Sequence, residues 1–201
     1  KYAFLYKKKL KAIEFSENSK LKIIEGSVFQ FAALKKINFP SSLVKIGIEA
    51  FHKCSKLRHI EFPENSELQK IDYSAFKKTA IEKLTIPASL EEIGPSSFSN
   101  CKKLRIVDIP KNSKLQKISY NAFKKSSIES FYIQPCVKII EEDAFSFCAN
   151  LQIIEIDENS QIENISCSMF ENVSDNFVVM ISYEKSIKIK KIAFIYKYRF
   201  I

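Results

Sequence analysis

The chain is 201 residues long, 46 % hydrophobic and 27 % charged, with a formal net charge of +9. That balance supplies enough apolar surface for a sizeable core. It also excludes a membrane-spanning helix, since no apolar run approaches the length a bilayer requires, and three scattered Gly exclude a glycine-rich phosphate cradle.

In chain order, the apolar residues fall into a repeat. Strand segments begin at Leu10, Leu34, Leu57, Ile81, Leu104, Ile128 and Leu151, in steps of 24, 23, 24, 23, 24 and 23 residues. An aromatic closes each unit at Phe29, Phe51, Phe76, Phe98, Phe123, Phe145 and Phe170, in steps that alternate 22 and 25. The true unit is therefore a pair of 47 residues. One member has a long turn after its strand, as in Pro63-Glu64-Asn65-Ser66 and Pro110-Lys111-Asn112-Ser113. The other has a short one, as in Pro40-Ser41-Ser42 and Pro87-Ala88-Ser89.

Projected backward, the register lands on Ala3-Phe4. Projected forward, it places an eighth strand near Val178 and Met180, later apolar positions at Ile187 and Ile192, and a ninth strand from Tyr198. The repeats are clear over residues 3–173 and degenerate over 174–201. Residues 1–201 are thus expected to form one solenoid domain. Both ends fall within a repeat and offer no polar cap, so the reading is a piece of a longer array.

Each unit is too small to bury its own apolar face and must stack. In Arg58-His59-Ile60-Glu61-Phe62, alternation points Ile60 and Phe62 inward and His59 and Glu61 outward. Stacked copies make a parallel sheet on one side. The Leu-x-x-Ile spacing on the return side suits a helical or 3₁₀ turn. The expected class is an α/β-type repeat solenoid with a stacked parallel sheet and short helical turns and loops opposite. Gly47 and Gly94 directly follow the inward Ile of short-turn units, a place read as a tight turn needing positive φ.

The chemistry-bearing residues follow the same period. Cys54, Cys101 and Cys148 occupy one place in alternate units, two stacking steps apart, roughly 10 Å and too far for a disulfide. They read as buried free thiols, and Cys136 and Cys167 have no evident partner. The two His, His52 and His59, lack metal-ligand spacing to the thiols. Glu14, Glu61, Asp108 and Glu155 are one outward strand position in every second unit, too widely spaced for an acid–base pair. The chain is expected to be no enzyme and to carry no cofactor or metal.

Two surfaces remain as candidates. The outward strand face carries Lys36, Asn38, His59, Glu61, Lys83, Thr85, Asp108, Tyr132 and Glu155, a surface suited to a protein ligand. Lys53, Lys77, Lys78, Lys102, Lys103, Lys124 and Lys125 fall in the turn before the next strand and stack as a basic edge suited to anionic glycans. Acids gather on the turn after the strand, at Glu17, Glu64, Glu67, Glu91, Glu92, Asp157 and Glu158. Nucleic acid is disfavoured because the Phe residues are mostly internal, leaving no stacking platform. Asn164 and Asn172 stand in Asn-x-Ser sequons, glycosylated only in a secreted eukaryotic context.

The run Leu-x-x-Ile-x-Phe-Pro-x-x-Leu-x-x-Ile-Gly-x-x-Ala-Phe-x-x-Cys, clearest over Leu34 to Lys56 and Ile81 to Lys103, resembles the bacterial and protozoan leucine-rich repeats of BspA-like surface antigens. The long-turn units depart from it by lacking the Gly and the Cys. The resemblance implies a leucine-rich repeat fold. It also implies a cell-surface or secreted adhesion module that binds a host or matrix surface protein. The unpaired thiols fit the alternative of a cytoplasmic scaffold using the same strand face.

Overall fold

The computed structural model describes residues 1–162, 165–181 and 199–200. Among these residues it is a solenoid of stacked turns with fourteen strands, β1 to β14 in chain order, of which β1 to β12 alternate between two sides. On the strand face lie β2 (Lys36–Asn38), β4 (His59–Glu61), β6 (Lys83–Thr85), β8 (Ile106–Asp108), β10 (Ser130–Ile133) and β12 (Ile153–Ile156). They are followed by β13 (Val178–Ile181) and β14 (Arg199–Phe200), the former where the register places an eighth strand. On the return side lie β1 (Ile23–Ile24), β3 (Lys45–Ile46), β5 (Lys70–Ile71), β7 (Glu92–Ile93), β9 (Lys117–Ile118) and β11 (Ile139–Ile140). Every pairing is parallel. Ile187, Ile192, Tyr198 and the Asn164 sequon lie outside the described residues.

The return side corrects the expectation of helical turns. Leu-x-x-Ile closes on a two-residue strand, and β1, β3, β5, β7, β9 and β11 form one unbroken six-stranded sheet. The repeat leaves only a few residues for this side, and extended backbone lets each donate to the neighbouring rung. The strand face, by contrast, is interrupted: β2 pairs β4, β6 pairs β8, and β10 pairs β12, β13 and β14 in separate sheets.

A third ladder runs through the Ala-Phe turns, where no strand exists. The Phe N–H of each turn donates to the next rung, as in Phe51 to Ala75 O (2.7 Å), Phe76 to Ser97 O (2.8 Å) and Phe98 to Ala122 O (2.8 Å). Two residues before and two after that Phe, the backbone is left-handed: Ser27 and Phe31, Glu49 and Lys53, Ser74 and Lys78, Ser96 and Asn100, Asn121 and Lys125, Asp143 and Phe147. From Ser27 to Lys125, and again at Phe147, their N–H groups also cross to the next rung, so the tight turn leaves these donors satisfied. At Phe170 the preceding left-handed residue is missing, and a 3₁₀ turn at Cys167–Phe170 takes its place.

The glycines serve a different purpose from the one expected. None has positive φ. A Cβ on Gly47 would stand 2.8 Å from Ile24 O, and one on Gly94 would stand 2.4 Å from Ile71 O. Close backbone approach between return strands excludes a side chain there.

The core is a set of ladders. Phe29, Phe51, Phe76, Phe98, Phe123 and Phe145 stack ring on ring with centroids 5.1, 5.0, 5.2, 5.7 and 5.5 Å apart. A second column holds Ala32, Cys54, Thr79, Cys101, Ser126 and Cys148, all buried. The three thiols are free. They are more than small hydrophobes: each S–H donates to the Phe carbonyl of the preceding rung, Cys54 to Phe29 O (2.9 Å), Cys101 to Phe76 O (3.2 Å) and Cys148 to Phe123 O (3.2 Å). Burial pushes the Cys54 thiol up to about 12 and the Cys101 thiol up to about 11. In the long turns, Ser66 and Ser113 hydroxyls accept from the N–H of Leu68 and Leu115, capping the entry to the return strand.

Candidate interaction surfaces

The strand face presents outward columns of side chains fixed by the parallel register. One column runs Asn38–Glu61 and Thr85–Asp108, then Tyr132–Glu155–Met180. The column beside it runs Lys36–His59 and Lys83–Ile106, then Ser130–Ile153–Val178. All nine residues assigned to this face from the sequence are exposed or half-buried on it.

Its charges are largely paired within the chain. Lys36 Nζ lies 3.1 Å from Glu61, Lys83 Nζ lies 2.6 Å from Asp108, and Arg58 and Arg105 face Glu82 and Glu129 at 3.8 and 3.4 Å. Two carboxylates of the stripe, Glu61 and Asp108, are thus paired with a lysine of the preceding unit. What distinguishes the carboxyl-terminal half is apolar. Ile106 is 49 % exposed, Met180 38 % and Tyr132 37 %, and Ile153 and Val178 are half-buried between them. Sequence reasoning singled out Tyr132 but passed over Ile106, Ile153 and Met180. Period-2 alternation puts them outward, and that signal was available. Tyr132 donates its phenol proton to Asp157, a hydrogen bond that pushes the phenol up to about 12 and keeps it neutral.

The turn edge behaves oppositely. The residue two places after each Phe forms a ladder of Tyr6, Phe31, Lys53, Lys78, Asn100, Lys125 and Phe147, linked through backbone hydrogen bonds of 2.6–3.0 Å to the neighbouring rung. Of the seven lysines assigned to this edge, only Lys124 has an ion pair among the described residues, 2.8 Å from Asp143. Most Phe residues are internal as expected, but this edge is an exception. Phe147 is 37 % exposed with Lys125 and Lys124 Nζ 5.1 and 5.5 Å from its centroid, and Lys53 Nζ sits 4.8 Å from the Phe31 ring. Tyr6 stacks on Phe31 at 4.5 Å.

His52 is half-buried on this edge, against Gln30 Nε2 at 3.1 Å and Glu49 at 3.4 Å, and is less of a surface residue than its sequence position suggests. Burial holds its imidazole below the usual histidine value. Glu49 pulls it up, and the ammonium groups of Lys53, Lys77 and Lys78 push it down further. On the opposite edge, Glu67 reaches Lys22 at 2.7 Å, whereas Glu92 belongs to β7 and pairs Lys70 at 3.2 Å. Glu92 is therefore a return-sheet residue and not part of an acidic turn, because its side chain alternates with the buried Ile93.

A groove opens at the amino-terminal end where residues 12–17 run beside β2 without forming a strand; Phe15, Phe39 and Pro40 line it. No group of three His, Cys, Asp or Glu among the described residues is placed to hold a metal ion. No helix among them is long and apolar enough to cross a membrane.

Comparison with known proteins agrees with this architecture. The family described as "BspA type Leucine rich repeat region" matches with six copies over residues 1–105 and 69–200. No curated protein matches the chain. The pneumococcal vaccine antigen PcpA is similar at 26 % identity with a TM-score of 0.64, over 75 % of this chain and 44 % of that one. A leucine-rich repeat protein of T. pallidum is similar at 24 % identity and a TM-score of 0.56, over 85 % of this chain and 68 % of that one. A leucine-rich cell surface protein of Faecalibacterium prausnitzii follows at 23 % and 0.50, over 70 % and 43 %. The chain thus spans under half the length of PcpA and of the Faecalibacterium protein. With a family match across nearly its whole length, this chain belongs to the BspA-type leucine-rich repeat proteins.

Proposed function

We propose that this chain is a non-enzymatic protein-interaction module of a surface or secreted protein, and that it grips a host or matrix protein through the carboxyl-terminal half of its strand face. The family and the similarity to a pneumococcal vaccine antigen support the surface context. The observation that carries the choice of face is an apolar patch across two adjoining columns, Ile106, Ile153 and Val178 in one and Tyr132 and Met180 in the other, of which Ile106, Tyr132 and Met180 are exposed. Stacked rungs offer a partner a broad, regular surface rather than a pocket. Rigid aromatic and apolar side chains contribute most of the binding energy at such surfaces. Asp108, Glu155 and Asp157 around that column suit a basic or polar rim on the partner.

The test is a binding screen against host-surface and matrix proteins, followed by Tyr132→Ala combined with Ile106→Ala. For a ligand found in the screen, the pair should cost on the order of 1–3 kcal/mol of affinity with no change in the melting profile. Changing Lys77 and Lys78 to Glu should leave that ligand bound. The reverse pattern, loss from the lysine changes alone, would move the site to the turn edge.

A further inference from the structure

On the strand face Lys36 and Lys83 are paired with Glu61 and Asp108, whereas most lysines of the turn edge have no such partner. Lys53, Lys77, Lys78, Lys102, Lys103 and Lys125 make no ion pair among the described residues. Two of the carboxylates nearby are engaged, Glu49 with His52 and Asp143 with Lys124, and Glu171 lies on the rung beyond Phe147. Six unpaired cations therefore stand on four consecutive rungs. At the spacing of stacked strands those rungs span about 14 Å.

The backbone beneath them adds a second argument. Lys53, Lys78 and Lys125 have φ of 59°, the left-handed region in which a long side chain is disfavoured and Gly or Asn is cheaper. Asn100, on the rung between Lys78 and Lys125, shows that the turn accepts the cheaper residue. The chain holds cations at three positions whose conformation disfavours them. At either end an aromatic ring lies under a lysine, Phe31 under Lys53 and Phe147 under Lys125, which fixes the ammonium groups in place and lowers the entropy cost of using them.

From these observations we propose that the turn edge between Lys53 and Lys125 is a binding site for a sulfated polysaccharide, separate from the protein-binding strand face. The density of charge selects this ligand. More than one unpaired cation per rung matches a polymer with more than one anion per sugar, which a purely carboxylated glycan does not offer. Successive rungs also advance by about the length of one sugar ring, so an extended chain meets fresh lysines in register along the stack. Nucleic acid fits less well. Single strands bind by stacking bases on open rings interleaved with the cations, whereas here the two Phe lie at the ends with ammonium groups over them.

The experiment measures binding of the whole chain to heparin, to desulfated heparin and to single-stranded DNA at low salt. Two variants with the same change in net charge are compared: Lys53→Glu/Lys78→Glu/Lys125→Glu on the edge, and Lys20→Glu/Lys111→Glu/Lys114→Glu on the opposite, long-turn edge. Heparin should bind in a salt-sensitive manner, desulfated heparin should not, and the first variant should lose about tenfold or more in affinity while the second keeps it. A third variant, Lys53→Asn/Lys78→Asn/Lys125→Asn, suits the left-handed backbone, so its loss of binding has no misfolding explanation. As an internal probe, heparin should raise the His52 titration midpoint in NMR, because sulfates would offset the lysines that now depress it. Equal losses from the two Glu variants would overturn the proposal, as would tighter binding of DNA than of heparin, an unmoved His52, or no heparin binding by the unaltered chain. Each of these readouts is separate from the strand-face test.

Discussion

The return side and the strand face of this solenoid use the same parallel ladder, yet only the return side carries it without a break. There, six strands pair in one sheet, the Phe rings stack beneath the adjoining turns, and those turns carry a hydrogen-bond ladder of their own. On the strand face the pairing lapses between β4 and β6 and again between β8 and β10. Continuity of pairing resides where the chain makes its tightest turns. The side that carries the candidate protein-binding surface is the less continuously bonded one.

The largest expected effect comes from cutting the continuous side. Phe98 is fully buried between Phe76 and Phe123, so Phe98→Ala opens a cavity that two neighbouring rungs must share and should cost about 3–5 kcal/mol. Lys83→Ala on the strand face removes an ion pair whose members are 57 % and 47 % exposed, and should cost about 0–1 kcal/mol. Urea melts of both variants measure the contrast; similar midpoint shifts would mean that the two sides carry the fold equally.

Next comes the backbone of the return side itself. Gly94→Ala drives a methyl group into the Ile71 carbonyl, against rigid backbone with no flexible side chain to give way, and should cost about 1–3 kcal/mol. Because Gly94 has no positive φ, a conformational argument alone predicts stabilisation by the Ala. A higher melting temperature for Gly94→Ala would therefore show that the return strands can move apart, contrary to a continuous spine.

This glycine also marks how far the sequence could be read. The period, the inward residues such as Ile60 and Phe76, and the column of Cys54, Cys101 and Cys148 were legible because burial recurs at fixed spacing. The second sheet was not, since strands of two residues such as Lys45–Ile46 are too short to display alternation, and Leu-x-x-Ile fits a helical turn equally well. Left-handed turns went unseen because Ser, Lys, Glu and Phe occupy most of them, while Gly occupies none and the Asn that signals such turns stands only at scattered places such as Asn100 and Asn121. At the surfaces, the error was one of counting apolar residues as core. Phe31 and Phe147 were not told apart from the mostly internal Phe residues, and Ile106 and Met180 were not counted on the outward face, although their register places them there.

The smallest effect should carry the opposite sign. Lys78 sits at φ 59° with an exposed side chain and no ion pair among the described residues, so its conformation costs stability and its contacts return little. Asn tolerates the left-handed region better because its short amide can bond to the local backbone. Lys78→Asn should raise stability by about 0.5–1 kcal/mol. The same substitution at Lys36, whose strand backbone is extended, relieves nothing and removes an exposed pair with Glu61, so it should be neutral or slightly destabilising. Differential scanning calorimetry of the two single variants reads the difference directly. A gain at Lys78 together with weaker heparin binding would mean that the turn edge gives up stability to keep its charge. A loss at Lys78 would mean that the lysine stabilises the turn, and the strain argument for a binding edge would lose its footing.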